Sequence, residues 1–174
     1  MGKNKVTLRN LEMSDKYRLA ELMNNKNIWD NLRDRLPFPY TVSDAEFFIN
    51  LTQNDVSMEN FAIEYNKEFC GVTGLTLQND VYRKSAEIGY WVGEPYWGKG
   101  IATKAVGIIT KYGFENFDLV RIYSGVFEKN IGSMKVMEKN GYKKEAIFKK
   151  AIIKNDEILD EYRYSILKED FKSD

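Results

Sequence analysis

Residues 84 to 112 read Lys-Ser-Ala-Glu-Ile-Gly-Tyr-Trp-Val-Gly-Glu-Pro-Tyr-Trp-Gly-Lys-Gly-Ile-Ala-Thr-Lys-Ala-Val-Gly-Ile-Ile-Thr-Lys-Tyr. Apolar residues alternate as far as Val92, Gly93 and Pro95 break the chain, and from Ile101 the apolar positions recur at helical spacing. The order is therefore strand, tight turn, glycine loop and helix. Gly98 and Gly100 remove side chains where backbone N–H groups approach a ligand. A helix opening at Ile101 leaves its first N–H groups without intrahelical partners, aimed at the same spot. The stretch predicts a bound anion of the phosphate kind.

Three kinds of phosphate loop share these features, and spacing separates them. Gly93 to Lys99 approaches G-x-x-x-x-G-K-[ST], but Gly100 takes the place of the magnesium-holding hydroxyl and Pro95 lies inside the loop. The dinucleotide pattern G-x-G-x-x-G fits at Gly98 and Gly100, finds Thr103 at its third glycine, and has no βαβ repeat around it. The remaining pattern is the Q/R-x-x-G-x-G/A loop of acyl-CoA-dependent N-acyltransferases. Gly100 and Ala102 match it, with Trp97 in place of Gln or Arg.

Further segments carry the same likeness. Glu87-Ile-Gly-Tyr-Trp-Val92, Tyr96-Trp-Gly-Lys-Gly-Ile-Ala-Thr103, Asn130-x-x-Ser133 and Glu138-Lys-Asn-Gly-Tyr142 follow in order, preceded by Leu36-Pro-Phe-Pro-Tyr40 and Asp44-Ala-Glu46. Together they resemble the GNAT superfamily of N-acetyltransferases, in its RimJ/RimL-like branch of ribosomal-protein N-terminal acetyltransferases. The likeness extends over essentially the whole chain.

Composition narrows the chemistry independently. With 174 residues, 43% of them hydrophobic and 30% charged, the chain can bury a full core as one domain spanning residues 1–174. The 26 basic and 26 acidic residues cancel, and no dense basic run suggests nucleic acid or an anionic membrane surface. No apolar run is long enough to cross a bilayer and the start lacks the apolar segment of a signal peptide, so the expected location is cytoplasmic. The chain contains no histidine and one cysteine, which removes Ser-His-Asp and Cys-His nucleophile systems and makes a zinc site exceptional; no metal is expected. Cys70 sits in an apolar, strand-like run and reads as a packed thiol.

Periodicity predicts strands over 6–11, 61–65, 69–78, 86–92 and 121–127, with helices over 101–116 and 131–139. Ser14 is expected to cap a helix whose apolar face holds Tyr17, Leu19, Leu22 and Met23. A second helix is expected to open with a capping box between Ser43 and Glu46. Asn130 caps the later helix, Gly141 stops it, and two strands flank Lys154-Asn-Asp-Glu157 as a hairpin. The expected class is α/β (α+β): a mixed, twisted sheet of six to seven strands flanked by helices.

The resemblance implies splayed strands at Val92 and Arg121, with acetyl-CoA as cosubstrate entering the gap. Its implied contacts are Trp91, Val92, the loop Gly98, Lys99, Gly100, Ile101, Ala102 and Thr103, and Asn130. Lys99 either adds charge there or is a solvated loop lysine. An amine would attack the thioester directly, since no credible group for a covalent acyl intermediate is present. Alternation puts Glu87, Gly89 and Trp91 on one strand face, so Glu87 points into the cleft as general base or into solvent. The N–H near Val92 is the oxyanion donor. Ser133 stands where RimL-type enzymes are proposed to protonate sulfur, or is a first-turn helix serine. Two departures accompany it: Met137 replaces the tyrosine of many relatives, and Ile152 replaces a RimL-type glutamate. The acceptor wall is expected over 31–40, with Arg33, Phe38 and Tyr40 binding substrate, Arg33 or Arg35 holding a carboxylate and Asp30 or Asp34 an ammonium. Acceptors of the family include peptide N-termini, polyamines, aminoglycosides and other small amines, and a homodimer is compatible with it. The alternative reading is a catalytically idle acyl-CoA sensor or interaction module.

Overall fold

The computed structural model describes residues 5–172. A seven-stranded sheet runs in the order β1-β2-β3-β4-β5-β7-β6. Its strands are β1 (Val6–Asn10), β2 (Met58–Tyr65), β3 (Glu68–Leu77), β4 (Ser85–Val92), β5 (Arg121–Phe127), β6 (Lys143–Lys154) and β7 (Glu157–Leu167). The helices are α1 (Lys16–Met23), α2 (Lys26–Trp29), α3 (Val42–Asn54), α4 (Ile101–Asn116) and α5 (Ile131–Lys139). All strand pairs are antiparallel except β4 with β5. This is the mixed sheet flanked by helices that the sequence predicts.

β3 is buried on both sides because helices cover both faces. Val72 packs with Leu19 and Ile49 of α1 and α3, whereas Leu75 and Ile88 pack with Val106 and Ile109 of α4 on the opposite face. The position that decides function is the β4–β5 pair. It holds register only at Ser85↔Arg121, Ala86↔Ile122 and Glu87↔Tyr123, although β4 continues to Val92 and β5 to Phe127. Beyond Glu87 the two strands part. Since Gly93 N–H donates to Cys70 of β3 (2.8 Å), antiparallel alternation turns the N–H groups of Trp91 and Gly89 toward β3. Those of Tyr90 and Val92 therefore point across the gap.

Two expected helix starts move. Ser14 does not cap; it lies inside a 3₁₀ turn, Met13–Asp15, where the Asp15 carboxylate accepts the Glu12 N–H at 2.8 Å, and Tyr17 projects outward at 65% exposure. The box of α3 is formed by Thr41 and Asp44 instead of Ser43 and Glu46: Thr41 N–H donates to Asp44 (2.8 Å) and Asp44 N–H to Thr41 Oγ1 (3.3 Å). Asn130 caps α5 as expected, its Oδ1 accepting Ser133 N–H at 3.1 Å. The β6–β7 hairpin turns at Asn155 and Asp156, both at positive φ, as a two-residue loop matching strand twist requires.

Candidate active site

A cavity of about 870 Å³ occupies the gap between β4 and β5. It passes from one face of the sheet to the other. At one end lie Gly98, Gly100, Ile101, Ala102, Thr103, Asn130 and Ser133; at the other lie Arg33, Arg35, Tyr40 and Glu87. Trp91 and Val92 line it between these ends.

Gly98 and Gly100 both have positive φ, 75° and 73°. A Cβ at either would meet nothing within 4 Å, so the requirement for glycine is the left-handed backbone and not crowding by the protein. Gly100 is the N-cap of α4 without a side-chain cap, and the N–H groups of Ile101, Ala102 and Thr103 remain for a ligand. Trp97 donates its indole N–H to the Val92 carbonyl at 2.6 Å, fastening the loop to the end of β4. Lys99 is absent from the cavity lining: its amine donates to the Pro95 carbonyl (3.1 Å) and lies 5.4 Å from the Tyr96 ring centroid.

Glu87 and Ser133 border the same cavity from opposite faces of β4. Glu87 is ion-paired to Arg33 through a single guanidinium nitrogen, Nη2. Ser133 Oγ is 2.7 Å from the hydroxyl of Tyr90, a residue that no sequence pattern singles out for the chemistry. Burial raises the Tyr90 phenol to about 12, the Ser133 bond opposing this, so it remains protonated at neutral pH. Met137, on the inner face of α5, is fully buried in the core and does not reach the cavity; neither does Ile152. A phenol thus stands beside Ser133, but it comes from β4.

The acceptor wall divides. Tyr40 is buried against the cavity, and burial raises its hydroxyl's pKa. Phe38 lies outside the lining, its ring 5.4 Å from that of Trp29. Asp30 and Asp34 both face the β6–β7 hairpin: Asp34 pairs with the buried Lys154 (2.6 Å), and Asp30 with Lys26 (2.6 Å) and Asn155 (2.8 Å). Lys154 also sits 3.3 Å from the Trp29 ring centroid. Neither aspartate is placed to hold a substrate ammonium. Cys70 is buried, with its thiol raised to about 12, and packs as expected. Among the described residues no cluster suited to a metal ion occurs, and no helix is long and apolar enough to cross a membrane.

The family model for the acetyltransferase (GNAT) domain matches residues 5–143. The chain belongs to the GNAT acetyltransferase family. It is 32% identical to an uncharacterised N-acetyltransferase, YnaD, of Bacillus subtilis over 168 residues, covering 96% of each chain. Spermidine N-acetyltransferase from Vibrio cholerae, solved with CoA and spermine, is 26% identical with TM-score 0.82, over 95% of this chain and 96% of that one. RimJ of Mycobacterium smegmatis, solved with CoA-disulfide, shares the fold at TM-score 0.87 and 22% identity, over 97% and 84% of the two chains. The chain is thus a GNAT acetyltransferase by family.

Proposed function

We propose that the protein transfers the acetyl group of acetyl-CoA to a primary amine within a ternary complex. The observation that carries this is the through-sheet cavity, which opens onto a phosphate cradle on one face and onto Glu87 on the other. Acetyl-CoA is the substrate that a helix N-terminus and a strand gap with unpaired N–H groups suit, and a solved relative's complex with CoA supports the reading.

Glu87 takes a proton from the acceptor ammonium, directly or through water. The freed amine forms the C–N bond, and Val92 N–H donates to the oxygen of the tetrahedral intermediate. As the C–S bond breaks, Ser133 hydrogen-bonds the departing sulfur while Tyr90 holds the serine hydroxyl in place. The nitrogen gives up its second proton as the intermediate collapses, and this proton reaches the thiolate directly or through water, so the products are an acetamide, a free thiol and the proton left on Glu87 for solvent. The branch likeness and the relatives leave peptide N-termini, polyamines, aminoglycosides and other small amines as acceptor classes.

Free-thiol release from acetyl-CoA across an amine panel tests the proposal. Turnover is expected, and Glu87→Gln should lower it about a hundredfold with acetyl-CoA affinity nearly unchanged, most severely at low pH where the amine is protonated. Acetyl-CoA binding that raises the melting temperature without any thiol release would favour the idle sensor. Wild-type rates in Glu87→Gln would remove that residue from the chemistry.

A further inference from the structure

The charges around the acceptor end of the cavity do not balance. Its lining there contains Arg33, Arg35 and Glu87. Arg33 and Glu87 neutralise each other. On the same face of the sheet, Glu161 is paired with Arg163 at 2.5 Å. The acids of the wall are engaged elsewhere: Asp34 with Lys154, Asp30 with Lys26. Glu94, bonded to the Asn25 and Asn27 amides, lies outside the lining. What remains is Arg35, exposed on the cavity wall with no hydrogen bond or ion pair among the described residues. Arg33, held only through Nη2, keeps the other edge of its guanidinium available. Residues 33, 34 and 35 alternate, both guanidiniums toward the cavity and the intervening carboxylate toward the hairpin.

We propose that the acceptor is an amine bearing an anionic group, a carboxylate or a phosphate, held by Arg35 and the free edge of Arg33 while its ammonium faces Glu87. This deepens the acetyl-transfer reading and rests on it. Both guanidiniums line the cavity, and a guanidinium offers a planar anion charge-assisted, bidentate bonds. The same pair repels a polycation, because among the described residues Glu87 is the one carboxylate lining the cavity and is already paired. Polyamines, the acceptors suggested by the spermidine-acetylating relative, are therefore disfavoured here.

The experiment compares matched amines: γ-aminobutyrate against butylamine and putrescine, phosphoethanolamine against ethanolamine, and spermidine. Each is assayed for thiol release with acetyl-CoA, and for binding by calorimetry to the protein saturated with CoA. The anionic amines should exceed their neutral counterparts by about tenfold or more in kcat/KM. The advantage should shrink as salt is added. The better of the carboxylate and phosphate arms identifies the anion. Arg35→Glu should invert the ranking in favour of putrescine and spermidine, a gain that mere misfolding does not produce. Equal or better use of spermidine by the parent protein, or an unchanged ranking in Arg35→Glu, overturns the inference. Preferential binding of the anionic amines without thiol release would sustain it and sink acetyl transfer. Turnover without preference would do the reverse.

Discussion

Met137 is where the residue-level reading of the sequence and the folded chain diverge most usefully. The resemblance to the GNAT superfamily implies a sulfur-protonating phenol four residues after Ser133, and Met137 stands in its place. In the structure its side chain is wholly enclosed by the second core, beside Tyr142 and Tyr164. Met137→Tyr would therefore insert a larger, polar-tipped side chain into packed space. The expected result is a loss of about 1–3 kcal/mol of stability, read from urea denaturation, with no gain in turnover. A variant as stable as the parent and faster in thiol release would show that α5 can rotate to present position 137 to the cavity. Tyr90 illustrates the opposite case. Strand parity alone puts it on the face away from Glu87, yet its hydroxyl meets Ser133 across 43 positions of sequence. No local pattern encodes such a contact, since it depends on where α5 docks.

At the scale of elements, periodic stretches were legible and their ends were less so. α4, β5 and α5 have the boundaries that apolar spacing predicts, because each buries one face along its whole length. The start of α3 is two residues earlier than expected. Ser43 and Glu46 satisfy the capping pattern as well as Thr41 and Asp44 do, and the choice falls to the pair whose backbone groups meet. Asp44 accepts both the Thr41 N–H and, at 2.6 Å, the Thr41 hydroxyl, and these bonds hold its carboxyl below the usual carboxylate range. Thr41→Ala should cost about 1 kcal/mol of stability, whereas Ser43→Ala, inside the first turn, should cost close to nothing. Equal losses in urea midpoint for the two variants would restore the Ser43 box. The acceptor wall was legible as a stiff, mixed polar and aromatic segment. Which of its charges face substrate was not, because Lys154, 120 positions from Asp34, decides it.

For the whole molecule, the two cores on either side of the sheet enclose several weak acids in their neutral form. Burial raises the Cys70 thiol to about 12, and raises Tyr90 and Tyr164 to about 12, with the Glu138 bond adding to the effect at Tyr164. Burial also raises Tyr142. In the unfolded chain the thiol titrates near 8.5 and the phenols near 10. Between those values and about 12 the unfolded state gives up protons that the folded state retains, so stability is fully present below the unfolded values and falls as pH rises through this window. The thiol contributes first, above about pH 8.5, and the phenols join above about pH 10, each adding a slope of about 1.4 kcal/mol per pH unit. Urea denaturation at pH 8, 9.5 and 11 should therefore give a progressively steeper loss. Tyr164→Phe, whose only polar partner is Glu138 among the described residues, should flatten the upper part of that curve without altering the part below pH 10. Stability that stays level from pH 8 to pH 11 would mean that these groups reach water in the folded protein. In that case the neutral Tyr90 hydroxyl assigned to Ser133 would lose its basis as well.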